Sequence, residues 1–584
     1  MFPNGNWPIL SQVLFNPAVM VKKQQKILLV NPCCLDQRIS GEDARIAPMG
    51  LFYIGALLIE NGFNTDILNL ADTESDPVKV FKKAIETRMP DVIGFSVMNP
   101  NRWNAIECAK TAKKTNPGIV IVFGGPAPTF LFEHLFSACP EIDFIVKGEG
   151  EISFLELLNE LETPSHVSFD EIQGLVLKKD GRVVETSERP PIETLDSLVH
   201  PSKYFSFQHL AMSRGCPGSC TFCGSPKFWG NRKVRFHSPQ WFSQEIEALS
   251  KRGITHFYIS DDTFTMDKPR VMEFCRLITE KKLAITWNAI SRTDYIDEDL
   301  LSAMRKAGCI QISYGVESGS EKIRKTLGKS IDRGKIIHAF SITKAHGILA
   351  RAYFIYGSPG ETKDTIKESI DLIKAIGPLG AIFYMLVIFP GTFLYQSAKN
   401  KNLVSDDLWN QRLEDLPWFE IDNQLDFEKV KDFGDELRKT FYNHLDEFSQ
   451  NLDLVVKKDM YSFHADFLSR LGLTFSHGEY AVDTRIKNQE ETATRLFERA
   501  LSYAPDARAF LGLAMQKQKS RDFNGAVTVL ENALAQFPAN KDLNLCMGVC
   551  LMNKRRFKSA LKFFEPFKEI PETRHYMNIC QKNS

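Results

Sequence analysis

Residues 213–226 read SRGCPGSCTFCGSP and place three cysteines, Cys216, Cys220 and Cys223, within eight positions. Glycine, proline and serine separate the cysteines, so the stretch is predicted to be a loop. Three thiolates from one loop indicate zinc or an iron–sulfur cluster, because both prefer soft ligands. A closed zinc site needs four ligands, and His237 is the candidate for the fourth. A four-iron cluster held by three cysteines would instead leave one iron open for a cosubstrate.

Downstream of this cysteine loop, apolar runs that end in turn residues alternate with helical patterns. The runs cover 254–265, 310–320, 351–362 and 382–392, and the helical patterns cover 240–252, 267–281 and 297–307. Each run is predicted to be a strand, and the turns that follow contain Asp261-Asp262, Glu317-Ser318 and Gly357. This alternation predicts a partial (β/α) barrel with its site at the carboxyl ends of the strands.

The first part of the chain alternates in the same way. Predicted strands cover 26–32, 90–98, 119–126 and 142–151, and the first of them is followed by a helical pattern over 49–63. The pattern predicts an α/β domain with a doubly wound, flavodoxin- or Rossmann-like parallel sheet. Ligands bind such sheets at the carboxyl ends of the strands. The loops at those ends contain Ser96, Met98, Gly124, Gly125, Gly148 and Glu149.

The spacing of these loop residues resembles that of cobalamin-binding (B12-binding) domains. Ser96-x-Met98 followed about 25 residues later by Gly124-Gly125 is similar to the Ser-x-Leu…Gly-Gly pattern of that family. The resemblance implies cobalamin contacts at Ser96, Met98, Gly124, Gly125, Gly148 and Glu149. The family's Asp-x-His-x-x-Gly motif, whose histidine ligates cobalt, has no match in NPCCLDQRISG after the first strand. Cys33 and Cys34 lie near that position, and the lower ligand of cobalt is left open.

The cysteine spacing itself resembles another family. Cys-x-x-x-Cys-x-aromatic-Cys, with Phe222 as the aromatic residue, is similar to the motif of the radical S-adenosylmethionine (SAM) superfamily. The resemblance implies a 4Fe-4S cluster on the three cysteines and SAM on its open iron, cleaved with an electron from a donor such as flavodoxin or ferredoxin. It implies SAM contacts at Phe222, Gly224, Asp262, Glu317, Ser318 and Gly357. Each of these turn motifs taken singly has a purely turn-forming interpretation, and Asp261-Asp262 would then cap the next helix.

The C-terminal third contains an internal repeat. Phe523 and Phe557 are 34 residues apart, as are Ala526 and Ala560. This period resembles tetratricopeptide repeats, in which pairs of helices bury their apolar faces by stacking. The repeats are expected to bind a partner protein, a carrier-bound substrate, another copy of the chain or the barrel itself. Two cysteines one helical turn apart, at 546 and 550, are predicted to be core residues rather than metal ligands.

Composition gives the broad class. The chain has 584 residues, 43% hydrophobic, with 72 basic and 72 acidic side chains. The neutral balance disfavours a nucleic-acid partner. No signal peptide or membrane-spanning run is visible, which predicts a cytoplasmic protein. The predicted segments are an N-terminal extension (1–24), a cobalamin-binding domain (25–165), a linker with a hairpin (166–200), a radical SAM domain (201–404), a helical extension (405–488) and tetratricopeptide-like repeats (489–584).

The two resemblances occur in the order found in B12-binding radical SAM proteins, over about residues 25 to 400. They imply an anaerobic enzyme that transfers a methyl group through cobalamin to an unactivated carbon or phosphorus of a small-molecule or carrier-bound substrate. The substrate and the catalytic residues cannot be read from the sequence. A radical rearrangement or cyclisation without methyl transfer is the alternative. A non-catalytic cobalamin-binding scaffold and a nucleic-acid modifier are the hypotheses from other classes.

Overall fold

The computed structural model describes residues 24–36, 45–73, 75–164, 168–230, 232–413 and 416–583. The predicted N-terminal extension therefore lies outside the described residues, apart from its last position. Two large sheets, the first mixed and the second parallel, and a helical C-terminal region form most of the described chain. None of the described helices is both long enough and apolar enough to cross a lipid bilayer.

The first sheet has seven strands in the order β2-β1-β3-β4-β5-β6-β7. The strands are β1 Lys26–Asn31, β2 Asn64–Asn69, β3 Val92–Ser96, β4 Val120–Gly124, β5 Phe144–Val146, β6 Leu175–Lys179 and β7 Arg182–Glu185. β1 to β5 run parallel, and β6 and β7 form a hairpin that continues the sheet antiparallel to β5. The predicted hairpin is therefore part of this sheet.

Five helices cover the two faces of the first sheet, as the alternating pattern predicts. They are α1 Met49–Glu60, α2 Pro77–Arg88, α3 Arg102–Thr115, α4 Pro126–Ala138 and α5 Glu151–Glu162. Apolar side chains of the central strands are buried on both faces, in two separate clusters. The strand order reverses between β1 and β3, which opens a crevice for a ligand at their carboxyl ends.

The second sheet has six parallel strands in the order β15-β14-β13-β12-β11-β8. The strands are β8 His209–Leu210, β11 His256–Ile259, β12 Thr286–Ser291, β13 Cys309–Glu317, β14 Leu349–Tyr356 and β15 Gly380–Met385. A short antiparallel pair, β9 Ser213–Arg214 with β10 Arg235–Phe236, flanks the cysteine loop. This is the predicted partial barrel.

Helices surround the outside of the partial barrel. They are α6 Ser225–Phe228, α7 Pro239–Lys251, α8 Lys268–Glu280, α9 Glu298–Lys306, α10 Glu321–Thr326, α11 Arg333–Ala345, α12 Lys363–Ile376 and α13 Phe393–Asn400. Along β12 every second side chain, from Trp287 to Ser291, is buried, and the residues between them face the barrel interior. The predicted helix boundaries agree with the structure to within one residue, whereas the observed strands end three to seven residues before the predicted runs, which included the turns that follow.

The C-terminal region is entirely helical. Its helices are α14 Phe427–Gln450, α15 Tyr461–Ser476, α16 Gln489–Tyr503, α17 Ala507–Lys519, α18 Phe523–Gln536, α19 Lys541–Asn553, α20 Phe557–Phe564 and α21 Pro571–Asn583. α16, α18 and α20 begin 34 residues apart, at 489, 523 and 557, and each starts a helix pair. Residues of α14, α15 and α16 belong to the same buried cluster as the partial barrel. This region is therefore packed onto the barrel.

Candidate functional site

The cysteine loop is fixed by contacts with two neighbouring turns. The Thr221 backbone N–H donates to the Leu327 carbonyl over 2.9 Å, and the Thr221 carbonyl accepts from the N–H of Leu394 at the start of α13, also over 2.9 Å. Gly328 has φ +71°, and a Cβ there would overlap the Ser219 carbonyl oxygen. Only glycine lets the turn after α10 approach the loop this closely.

The sulfurs of Cys216 and Cys220 both lie beside Gly218. The Gly218 N–H donates to Cys216 Sγ over 3.4 Å, and a Cβ on Gly218 would lie 3.2 Å from Cys216 Sγ and 3.9 Å from Cys220 Sγ. Burial raises the pKa of the Cys220 thiol, and it raises that of Cys223 to about 11. These thiols therefore become thiolates when a positively charged metal centre binds them. Within the described ranges no three His, Cys, Asp or Glu side chains close on a single ion. The donor set fits a cluster in which each sulfur binds a different iron.

The zinc alternative, with His237 as fourth ligand, is wrong. His237 Nε2 lies 3.2 Å from the Tyr53 hydroxyl, and Nδ1 lies 3.2 Å from an Asp196 carboxylate oxygen. Its ring stacks on Trp241 with a centroid distance of 3.7 Å. Burial lowers the pKa of His237 to about 4, so the ring is neutral. Both ring nitrogens are engaged in packing the first domain against α7, and neither is available to a metal.

Glu317, at the end of β13, is paired with a lysine that sequence reasoning missed. Lys329 Nζ donates to Glu317 Oε1 over 2.7 Å, and each side chain is 8% exposed. Desolvation raises the pKa of the Cys220 thiol, and the nearby cations Lys329 and Arg292 oppose that rise. Two cations therefore lie beside the loop. Lys329 comes directly after Gly328, which has a left-handed backbone conformation. That glycine was the one local signal in the sequence for a tight turn at this place.

The remaining predicted SAM contacts divide into two groups. Phe222 packs against an apolar cluster with Leu327 and Leu394, and Gly224 directly precedes α6. Asp262 accepts a hydrogen bond from Ser225 Oγ over 2.6 Å, so it lies beside the loop. These three are brought together around the cysteines.

Ser318 and Gly357 lie in turns that pack against helices. The Ser318 hydroxyl accepts from the Ser320 N–H over 3.1 Å and lies 3.2 Å from the hydroxyl of Ser369 on α12. Gly357 has φ +82°, and a Cβ there would lie 2.7 Å from a methyl group of Val430 on α14. The Ser318 hydroxyl is thus engaged within its own turn, and the role of both residues as SAM contacts stays a prediction.

Asp261 has a structural role. It is 1% exposed and accepts from the Met212 N–H over 2.9 Å and from the Ser213 hydroxyl. Burial raises its pKa to about 7. Neither Asp261 nor Asp262 caps the next helix, because the Asp267 side chain accepts from the Arg270 N–H at the start of α8.

A cavity of about 300 Å³ lies at the carboxyl ends of the first sheet, facing the cysteine loop. It is lined by all six predicted cobalamin contacts: Ser96, Met98, Gly124, Gly125, Gly148 and Glu149. Gly125 has φ +104°, and a Cβ there would lie 2.9 Å from the Val97 carbonyl oxygen. Asn101 supports the serine loop by accepting from the Met98 N–H over 2.7 Å. Asp262 lines the same cavity from the barrel side.

Glu149 is also the centre of an ion-pair network between the two sheets. Its carboxylate pairs with Arg214 over 2.5 Å and with Arg235 over 2.7 Å, and Arg214 also pairs with Glu151 over 2.6 Å. Burial alone would raise the pKa of Glu149, but the two guanidiniums hold it below its usual value. Arg214 is two residues before Cys216, so this network ties the cysteine loop to the first domain. Sequence reasoning missed Arg214 because nothing local marks its partners.

A second cavity, of about 500 Å³, occupies the barrel interior. Its walls carry the inward-facing polar side chains Asn288, Gln311, Ser313, Arg351 and Tyr353, and they also include Cys34. Four residues line both this cavity and the first one: Pro48, Met49, Met98 and Ser260. The two cavities are therefore neighbours across the interface between the sheets. Burial raises the pKa of the Cys34 thiol and raises that of Cys33 to about 11.

Glu361 provides a test of the turn after β14. Its carboxylate accepts from the Gly357 N–H over 2.5 Å and the Ser358 N–H over 3.3 Å, yet burial raises its pKa to about 7 from 4.5. The folded protein therefore keeps a proton that the unfolded chain loses between pH 4.5 and 7, so the contribution of Glu361 to stability is greatest below pH 4.5 and falls as pH rises through this window. Glu361→Gln should remove about 3 kcal/mol of that loss. Urea unfolding at pH 5 and pH 8 measures it.

Glu368→Gln is the matched control, because Glu368 is exposed on the following helix. The control should show the same fall in the free energy of unfolding between pH 5 and pH 8 as the original protein. If the free energy of unfolding of the Glu361 variant fell by as much as that of the original protein, the Glu361 carboxyl would not retain a proton in the folded state, contrary to the description of this turn.

Comparisons with known proteins agree with this geometry. A family model described as the radical SAM superfamily matches residues 210–373, and a B12 binding domain model matches residues 43–158. The chain is 33% identical over 405 residues to an uncharacterised methyltransferase of Pyrococcus horikoshii, covering 67% of this chain and 86% of that protein. It is 31% identical over 376 residues to an anaerobic magnesium-protoporphyrin IX monomethyl ester cyclase of Rubrivivax gelatinosus, covering 62% of this chain and 67% of that protein.

A solved structure shows the same fold over nearly the whole chain. It is the cobalamin-dependent S-adenosylmethionine radical enzyme OxsB with aqua-cobalamin bound, with a TM-score of 0.59 and 16% sequence identity. The likeness covers 96% of this chain and 83% of OxsB. The order of the two sheets and the helical C-terminal region are thus shared with a known architecture.

Proposed function

The chain belongs to the radical SAM enzymes that carry a B12-binding domain, and on that premise we propose that it methylates an unactivated carbon or phosphorus of a small-molecule substrate. When bound, the 4Fe-4S cluster supplies the electron that cleaves SAM, and cobalamin supplies the methyl group. The shared wall of the two cavities is the observation that carries the proposal. A group bound in the first cavity and a substrate bound in the barrel would meet there, beside Met98.

The residues of the cysteine loop have the most specific role in this proposal. Cys216, Cys220 and Cys223 would hold the cluster, with the loop kept in place by its backbone bonds to Leu327 and Leu394. Phe222, Gly224 and Asp262 surround the loop and would contact SAM. The Lys329–Glu317 pair would place one cation and one carboxylate within reach of the SAM carboxylate and ammonium groups.

The first cavity would hold the nucleotide tail of cobalamin. Gly124 and Gly125 allow close approach because neither carries a Cβ, and Ser96 offers a hydroxyl at the same edge of the sheet. Glu149 would act through the interface, since its carboxylate is already paired with Arg214 and Arg235. The packed interface also keeps bulk water away from a reactive substrate.

Cyclisation or rearrangement without methyl transfer is the second candidate. It is favoured by the 31% identity to a relative named as a cyclase. Both candidates use the same cluster, SAM and cobalamin sites, so they differ in whether the methyl group of SAM reaches the product. An electron donor is needed in either case.

Methyl-labelled SAM distinguishes the two candidates. We expect the anaerobically reconstituted protein, supplied with cobalamin, a reductant and a metabolite extract, to form 5′-deoxyadenosine together with a labelled product and S-adenosylhomocysteine. Mass spectrometry measures all three. Formation of 5′-deoxyadenosine with a new, unlabelled product and no S-adenosylhomocysteine would favour cyclisation. Extract-dependent product formation without any 5′-deoxyadenosine would refute radical chemistry altogether.

A partner bound through the helix pairs from α16 onward is a further part of this proposal. The 34-residue spacing of α16, α18 and α20 supports tetratricopeptide-like stacking. Cys550 is buried in this array and Cys546 is half-buried, and the Gln518 side-chain amide lies within 3.2 Å of both sulfurs. This placement supports their interpretation as packing residues.

A further inference from the structure

An arginine-lined cavity lies at the end of the barrel opposite the cysteine loop. It has a volume of about 330 Å³ and lies between the amino ends of the strands and α15. Three arginines from three different helices line it: Arg305 of α9, Arg470 of α15 and Arg508 of α17. We refer to it as the arginine cavity. Nothing in the proposed SAM or cobalamin sites uses these residues.

The charge of the arginine cavity is unbalanced. All three guanidiniums pair with one carboxylate, Asp466, over 2.7, 2.9 and 3.0 Å. Burial opposes ionisation of Asp466, but the three arginines lower its pKa to about 2. No carboxylate lines the cavity among the residues that the structure describes. His256 on the cavity wall is uncharged at neutral pH, because burial and the charge of Arg470 lower its pKa. An excess of positive charge therefore faces this cavity.

Donors remain for a ligand after these pairs are made. Arg305 is 2% exposed and its terminal nitrogens donate to the carbonyls of Cys309 and Phe463 as well as to Asp466, so it contributes charge to the cavity and not a free donor. Arg470 reaches Asp466 through Nε alone, and Arg508 does so through one terminal nitrogen. The forked terminal nitrogens of arginine match the oxygens of phosphate and carboxylate groups. Two partly used guanidiniums, beside the charge of a third, point to an anionic ligand.

The arginine cavity is adjacent to the interior of the barrel. Asn288 and Gln311 line both this cavity and the 500 Å³ cavity above it. Along β13, Gln311 and Glu317 are about 20 Å apart at about 3.3 Å per residue. A molecule that spans this length would have one end at the arginines and the other beside the cysteine loop.

We propose that the arginine cavity binds a phosphate or carboxylate group, and that this group is the acidic end of an elongated substrate that reacts at the opposite end of the barrel. The proposal of an anion site depends on the three arginines alone. Its assignment to the substrate rests on the proposed function. A purely structural role, in which Asp466 simply joins α9, α15 and α17, is the alternative that the experiment must exclude.

Calorimetric titration of the reconstituted full-length protein with inorganic pyrophosphate and with succinate tests the site. A titration with chloride at the same ionic strength measures the background heat. We expect saturable binding of at least one probe, and the stronger probe identifies the anion as phosphate-like or carboxylate-like. Arg470→Gln should weaken that binding about tenfold, as expected for one charge-assisted hydrogen bond. Arg495→Gln is the matched control, because Arg495 pairs with Asp446 over 2.8 Å outside the cavity, and it should leave binding unchanged.

Asp466→Asn separates a binding role from a structural one. Removing the competing carboxylate should tighten pyrophosphate or succinate binding several-fold, whereas a purely structural role predicts weaker binding in both this variant and Arg470→Gln. Absence of binding by the original protein, or equal affinity in the original and Arg470→Gln, would overturn the proposal. SAM cleavage by the original protein is measured in parallel. Cleavage without anion binding refutes this inference only, whereas anion binding without cleavage refutes the proposed function and the assignment of the anion to the substrate, but leaves the anion site itself in place.

Discussion

Cys220→Ala is expected to abolish cluster binding and to reduce SAM cleavage to background. The sulfurs of Cys216 and Cys220 lie beside Gly218, and Cys220 is the middle cysteine of the three. Two thiolates cannot hold a cube whose fourth corner must stay open for SAM. Iron and sulfide analysis, the absorption spectrum and the yield of 5′-deoxyadenosine after anaerobic reconstitution measure the effect. Replacement of either other loop cysteine should give the same result.

Cys275→Ala is the matched control for this experiment. Cys275 is a buried core residue of α8, 2% exposed, and burial keeps its thiol protonated. Its replacement should cost about 1 kcal/mol of stability and leave iron content and SAM cleavage intact. A Cys220→Ala protein that still binds a full cluster and cleaves SAM would refute the assignment of the loop.

Arg214→Met is expected to loosen the interface between the two sheets and to lower the cobalamin content of the purified protein. The change leaves Glu151 without its guanidinium partner and Glu149 with one partner fewer, and both carboxylates are nearly buried. Removing one member of a buried ion pair costs about 3 to 5 kcal/mol because the remaining charge stays desolvated. Methionine keeps most of the apolar length that packs between Tyr53 and Trp229.

Urea unfolding and the cobalt-to-protein ratio after gel filtration measure the effect of this substitution. Arg276→Met is the control, because Arg276 forms exposed pairs with Glu273 and Glu280 on α8. Such surface pairs contribute less than about 1 kcal/mol. Equal losses of stability and cobalt in both variants, or none in Arg214→Met, would show that the network does not hold the domains together.

The cysteine loop and the sequence of strands were predictable because their signals are local. Three cysteines at fixed spacing, apolar runs of strand length and glycines at turns are each encoded within a few residues. The six residues predicted to contact cobalamin likewise follow parallel strands, and parallel strands end at the same edge of a sheet. Their convergence on one cavity follows directly from that topology.

The partners of charged groups were not predictable, because they come from distant parts of the chain. Glu149 meets Arg214 across 65 residues, and Asp466 meets Arg305 across 161. His237 matched a zinc ligand by residue type, but the fold surrounds it with Tyr53, Trp241 and Asp196. A side chain's chemistry depends on its neighbours, and long-range neighbours are set by how the layers pack.

The sequence by itself therefore determined the class of fold, the order of its domains and the three cysteines, because each rests on residues that are close along the chain. Only the tertiary structure decided that the two cavities share a wall, that Glu149 serves the interface and that three arginines enclose the far end of the barrel. Burial and charge pairing act through space, so these properties exist only once the sheets and helices have packed together.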